Sequence, residues 1–178
     1  MIKHFDENDV RPSIDDIVKQ RAATIEGVLF YHSNKNVDFD AIFIGKSSRD
    51  VEQEKKSIIE ELNLSYSLTL LAAIEATLRV DVQKRIKSKL KDNLSREFQK
   101  LGKTHKTLKL SEHIILCRET SDANLKHLYT DLKAAIKYRH WLAHGRYWEF
   151  KSKKIDFDSI MATYQQIETQ SSVQNKFR

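Results

Sequence analysis

The chain has 178 residues, enough for one domain with its own core, and 40% hydrophobic against 31% charged residues marks it as globular rather than disordered. A single cysteine, Cys117, excludes an intrachain disulfide framework and a cysteine-based zinc site. A net charge of +6 points to an anionic partner, nucleic acid first, and only four Gly and one Pro favour long helices over tight turns.

The start, Met1-Ile2-Lys3-His4-Phe5-Asp6, lacks the apolar core of a signal peptide, and no apolar run reaches about 18 residues. A cytoplasmic protein without a membrane span is therefore expected. Residues 1–12 read as a polar, flexible lead-in to a single domain, 1–178. Ser13 or Asp15 is placed to cap a helix through Ile17, Val18, Ile25, Val28 and Leu29. The segment 28–44 reads two ways. Val28-Leu29-Phe30-Tyr31 and 37–44 are rich in strand formers around Asn34-Lys35-Asn36, which fits a short β-hairpin. The same residues fit a helix, a turn and a short second helix, and the helical character of the remaining chain favours this by a narrow margin.

After the break at Gly45-Lys46-Ser47-Ser48, with Ser48 as the expected cap, residues 49–90 repeat apolar side chains mostly by three or four: Ile58, Leu62, Leu68, Leu71, Ile74, Leu78, Val82, Ile86. That spacing predicts a long helix, with Asn63-Leu64-Ser65 as the place for any kink. Within it, Glu75 and Arg79 are four apart and can pair on one face, as can Asp81 and Arg85. The run Lys84 to Lys91 is strongly basic, and a solvated face explains it more simply than an RNA contact. A shorter helix and a basic loop follow over 92–110, then a helix from Ser111-Glu112. Asp122 is the expected cap of the next long helix, and Asp156 or Asp158 begins the last. The tail, 171–178, is polar and reads as a flexible end. The pattern as a whole is all-α.

The helix after Asp122 carries the densest chemistry in the chain. Leu125, Leu128, Leu132, Ala135/Ile136 and Leu142/Ala143 mark one face, and Arg139 falls in a gap of that stripe. A charge there is costly unless it is paired or faces a wet cleft. Gly145 is a natural helix stop, which puts His144 at the helix end. Each residue turns the helix by ~100°, so His140 and His144 share a face while Arg139 lies ~140° from His144. Arg139 reaches His144 only if the helix unwinds at Gly145. Imidazole titrates near neutrality and suits general acid or base work, and a guanidinium fork suits a phosphate. Arg146, Tyr147 and Trp148 follow immediately, with charge and rings suited to RNA bases. Packing of both rings under the next loop is an equally good explanation.

Arg139-(x4)-His144, with His140 after the arginine and the run Trp141-Leu142-Ala143-His144-Gly145-Arg146-Tyr147-Trp148, resembles the Arg-x4–6-His motif of the HEPN superfamily, the all-helical domains of many prokaryotic ribonucleases. The resemblance is strongest over residues 64–165. It implies a HEPN-like helical bundle that cleaves single-stranded RNA without metal or cofactor, the 2′-hydroxyl attacking its own phosphate. Arg139, His144 and His140 would then be catalytic, Glu75 and Arg79 supporting, and Arg146, Tyr147 and Trp148 RNA-binding. Glu75 would hold Arg139 or His140, and a plain pair within its own helix is an equally good explanation. It further implies a homodimer whose two motifs share one cleft, a setting in antiphage defence or a toxin–antitoxin pair, and control by an antitoxin or a regulatory protein or RNA.

Three rivals stay open. His140-(x3)-His144 has zinc-ligand spacing, yet Trp141 stands where a metalloprotease helix needs its Glu, and no further cluster completes the set. A non-catalytic module, binding a nucleotide, RNA or a nucleotidyltransferase, would keep the same Arg and His. A purely structural role, with Arg139 and His144 satisfied by core carboxylates, is the plainest. His4, His32, His105, His113 and His127 have no such context and read as surface or packing residues.

Overall fold

The spine of the molecule is one helix of 40 residues, about 60 Å long, against which the other major helices pack. A computed structural model describes residues 12–151 and 155–176; the lead-in before Pro12 and the last two residues lie outside them. The described residues form α1 (Ile14–Tyr31), α2 (Phe39–Ile42), α3 (Ser48–Lys87), α4 (Asn93–Thr104), α5 (Leu116–Ser121), α6 (Lys126–Ala143) and α7 (Phe157–Lys176). A π-helical turn, Leu110–Ile115, precedes α5, and a 3-10 turn, Ala123–Leu125, precedes α6. No strand occurs among the described residues, so the fold is all-α.

Local chemistry explains where the elements begin. Ser13 caps α1, its Oγ accepting from Asp16 N at 3.0 Å. The cap of α3 is Ser47 rather than the expected Ser48. Ser47 Oγ accepts from Asp50 N (3.2 Å), and the Asp50 carboxylate accepts from Ser47 N (3.1 Å). Three residues after Ser48 stands Val51, which cannot close such a box. Asp92 caps α4, accepting from Ser95 N at 3.0 Å. Asp156 accepts from Ser159 N at 2.9 Å at the start of α7. Asp122 gives α6 no side-chain cap, because the 3-10 turn intervenes and the helix proper starts at Lys126.

The hairpin alternative for 28–44 does not form. Asn36 turns the chain locally, its side chain donating to Tyr31 O (3.1 Å) and accepting from Asp38 N (3.1 Å). The aromatics that looked like strand residues pack as a small cluster instead: Tyr31, His32, Phe39 and Phe43 have ring centroids 5.0–5.6 Å apart. The segment expected to be α-helical from Ser111 opens as the π turn. Its wider register brings Leu110, Ile114 and Ile115 all onto the buried side.

The main core is built from Leu70, Leu71, Ile74 and Leu78 of α3, Leu128, Leu132, Ala135 and Tyr138 of α6, and Ile160, Tyr164 and Ile167 of α7, with Phe98 from α4. Each fully buried leucine or isoleucine here stabilises the fold by about 1.5–3 kcal/mol. Arg21 ties three helices together, bonding Asn63 (3.0 Å) and Asp158 (3.2 Å) while its guanidinium lies 4.3 Å over the Phe157 ring. The result holds α6 along α3, with Arg139 opposite Glu75 and Arg146 opposite Glu61.

Candidate functional site

Arg139 lies on the side of α6 that meets α3. Leu128, Leu132 and Ala135 of the same stripe are buried, so the guanidinium enters a largely apolar seam. Glu75 of α3 meets it there in an ion pair. Glu75 is only 15% exposed in its side chain, and its other oxygen accepts from Arg79 Nε at 2.8 Å. Arg79 goes on to donate to Leu108 O at 3.0 Å. One carboxylate therefore serves two cations, and the second cation pins the loop before the π turn. The intrahelical Glu75–Arg79 pair and the Glu75 hold on Arg139, alternatives in the sequence, occur together. Arg139 Nε is buried without a partner, so the charge is only partly satisfied within the chain.

The helix end is equally defined. α6 stops at Ala143, His144 takes the C-cap, and Gly145 adopts φ +80°, the left-handed conformation that glycine reaches without strain. Arg146 N then bonds Trp141 O at 3.3 Å, the long-range bond of a Schellman stop. His140 and His144 are exposed, and their ring centroids are 4.1 Å apart. Among the described residues Arg139 and His144 do not pair: the arginine is held by Glu75, and the imidazole meets the tilted ring of His140. Unwinding at Gly145 does not join them: α6 is helical through Ala143, His144 is its C-cap, and the chain reverses only at Gly145, too late to turn that side chain back.

Trp141 anchors the loop beyond the helix. Its Nε1–H donates to Trp148 O at 2.6 Å, and its ring stacks on Tyr138 at 5.5 Å and meets Phe150 at 5.7 Å. Of the three residues expected at RNA, Tyr147 is open to solvent at 83%, Trp148 is half-buried beside Tyr147 and His140, and Arg146 is engaged. Arg146 donates from both Nη atoms to Glu61 of α3, each at 2.9 Å. Glu61 and Trp141 are the site residues that sequence reasoning missed. Glu61 is 85 positions from its partner, and nothing local marks it.

The remaining chemistry-bearing residues stand apart. Asp81 accepts from Arg85 (2.8 Å) and pairs with Arg118, which makes it structural. Burial pushes the Cys117 thiol up, with the charge of Glu97 adding to it, so this thiol stays protonated and is a poor nucleophile at neutral pH. His32 is buried with Nδ1 on Val28 O (2.8 Å), the tilted rings of His105 and His113 lie 4.3 Å apart, and His127 is exposed. His4 lies outside the described residues. Among the described residues no group of three or more His, Cys, Asp or Glu side chains is arranged to hold a metal ion. None of the described helices is long and apolar enough to cross a membrane.

No family model, no curated protein and no solved structure matches this chain. The arrangement offers two exposed imidazoles for proton transfer, a guanidinium fixed one residue before the first of them in the sequence, and an open phenol ring for stacking.

Proposed function

We propose that the chain is a metal-independent endoribonuclease of the HEPN type, acting on single-stranded RNA. One observation carries this: two exposed imidazoles 4.1 Å apart at the end of α6, directly after an arginine that a carboxylate of another helix holds in place. Transfer of a phosphate from the 5′-oxygen to the 2′-oxygen needs a base, an acid and a cation against the phosphorane; in a homodimer two His144 imidazoles, one taking the 2′-hydroxyl proton and one giving a proton to the 5′-oxygen, and the Arg139 guanidinium supply all three. His144 takes or returns the proton, His140 orients it, and Arg139 clamps the phosphate. Tyr147 is placed to stack on a base.

In a single chain Arg139 and His144 stay apart. Two copies with their α6 ends facing each other would bring the arginine of one to the imidazoles of the other. The homodimer is therefore part of the proposal, as is a role in antiphage defence or as a toxin held by an antitoxin or a regulatory RNA. The experiment that tests the chemistry is end-group analysis. The products should carry a 2′,3′-cyclic phosphate and a 5′-hydroxyl, and a 2′-deoxy substitution at the cleaved nucleotide should block the cut. Products with a 5′-phosphate would sink the mechanism.

A second reading has its own support. Arg139 and Arg146 are each occupied by a carboxylate, Glu75 and Glu61, as in a site that releases its cations only to a bound phosphate. A module that binds RNA or a nucleotide without cutting it fits that. Tight RNA binding with no cleavage by a verified dimer would favour it.

A further inference from the structure

The positive charge of this chain is concentrated. From Lys84 to Lys109 there are ten Lys and Arg residues against two acidic ones, Asp92 and Glu97, a net of +8 where the whole chain carries +6. The rest of the chain is slightly acidic, so the surplus is not a general device for solubility.

The fold turns these residues outward. On α4, Arg96, Lys100 and Lys103 recur at i, i+4 and i+7 and fall within about 60° of one another. Ser95, Phe98 and Gly102 occupy the buried side of the same helix. Lys84 and Lys87 are exposed on the last turn of α3, Lys89 and Lys91 in the turn that follows, and Lys106 and Lys109 in the loop after α4. Arg85 is different: it bonds Asp81 (2.8 Å), Asp92 (3.1 Å) and Ser95 (3.0 Å), clamping the start of α4 to the end of α3. That clamp makes the lysines of both helices one surface. Lys89 sits at φ +49°, a left-handed position that glycine fills without strain, and the chain places a cation there. Glu97 pairs with Lys100 (2.6 Å) and Glu112 with Lys109 (2.8 Å), far fewer acids than the cations around them.

We propose that the end of α3, the outer ridge of α4 and the loop beyond it form an electrostatic dock for the phosphate backbone of RNA. It begins at Lys84, about 13 Å along α3 from Glu75, so it is separate from the Arg139–His144 motif. A polyanion seated there would feed the motif from one side. An anionic membrane meets the same charge, but the large apolar side chain that this surface exposes is Leu90, with no aromatic beside it. Membrane-surface helices present several such side chains. The identity of the ligand rests on the ribonuclease reading; the segregation of charge does not.

The test is binding of fluorescein-labelled single-stranded RNA to the His144→Ala chain, followed by anisotropy between about 50 and 200 mM salt. Lys87→Glu, Lys100→Glu and Lys103→Glu are combined in one variant. Lys19→Glu, Lys35→Glu and Lys126→Glu, exposed elsewhere, make a control of equal net charge. The dock predicts that the first triple loses at least roughly tenfold in affinity and that its slope of log K against log salt flattens by ~2, three phosphate contacts at ~0.7 each. The control keeps most of the native slope. Equal weakening by both triples, no weakening by either, or no RNA binding by the parent chain overturns the dock. So does loss of binding to phosphatidylserine vesicles with RNA binding unchanged. Cleavage is not read in this assay, so failure of the nuclease reading shows separately.

Discussion

Arg139 of α6 and Glu75 of α3, 64 residues apart in sequence, form the ion pair that fixes the candidate site to the helical spine. Glu75 also carries Arg79, so its removal leaves two guanidinium groups without their carboxylate. Glu75→Ala should lower stability by about 2 kcal/mol, short of the fully buried case because both arginines keep a third of their side chains exposed. Glu75→Gln should recover part of this by keeping an acceptor. Urea unfolding of both variants measures it; two curves that superimpose on the native one would show the pair to be idle.

Two glycines should respond in opposite directions to the same substitution. Gly145 and Gly27 both have open space where a Cβ would go, so neither change meets a clash. Gly145 is left-handed at φ +80°, and alanine there strains the backbone by about 1 kcal/mol. Gly27 lies inside α1, and alanine there should stabilise by about 0.5–1 kcal/mol. Midpoints of chemical denaturation test both. Destabilisation by Gly27→Ala would mean that the helix meets a close partner at that position.

Alkaline pH should weaken the fold through Tyr164. Burial pushes its phenol well above the ordinary tyrosine value, and the hydrogen bond it donates to Glu168 raises it further. A folded-state value raised above the unfolded one means that stability is intact below about pH 10 and is lost progressively as pH rises past it, because only the unfolded chain ionises there. Tyr138 shifts the same way through burial, with Asp156 adding to it. Tyr164→Phe should therefore flatten the loss of stability between neutral and high pH, although the variant is less stable at pH 7. An unchanged alkaline slope would place the sensitivity elsewhere.

Under the proposed function Glu61 competes with RNA for Arg146. The pair is bidentate but lies at the surface, where such bridges contribute at most about 1 kcal/mol. Glu61→Gln should free the guanidinium and tighten RNA binding by roughly two- to fivefold, read by anisotropy in the His144→Ala background. Weaker binding would show that Glu61 positions Arg146 rather than masking it.

How much of this was legible in the sequence follows the range of the interactions. The 3.6-residue spacing of Leu71, Ile74, Leu78 and Val82 is a local signal, and the long helix was readable from it. So was the stop at Gly145, where one glycine follows an apolar stripe. Ser47 in place of Ser48 required noticing which serine has an acid three residues on. The segment 28–44 was ambiguous because Phe39 and Phe43 suit a strand or a helix equally, and packing against Tyr31 and His32 decided it. The pairing of Glu75 with Arg139 was readable as an option, since a charge on the core seam demands a partner. Glu61 with Arg146 was not, because surface pairs between distant residues leave no pattern. The charge surplus over 84–109 was on view from the start, but only the α4 ridge and the Arg85 clamp make it one surface.

The most direct test of the central claim is cleavage of single-stranded RNA in excess EDTA by the native chain, by Arg139→Ala and by His144→Ala, with size-exclusion profiles matched. The proposed chemistry predicts cutting that survives EDTA and falls by at least about 100-fold in each variant, the scale of a lost acid–base or oxyanion group. Cutting abolished by EDTA, or retained in both variants, would contradict it.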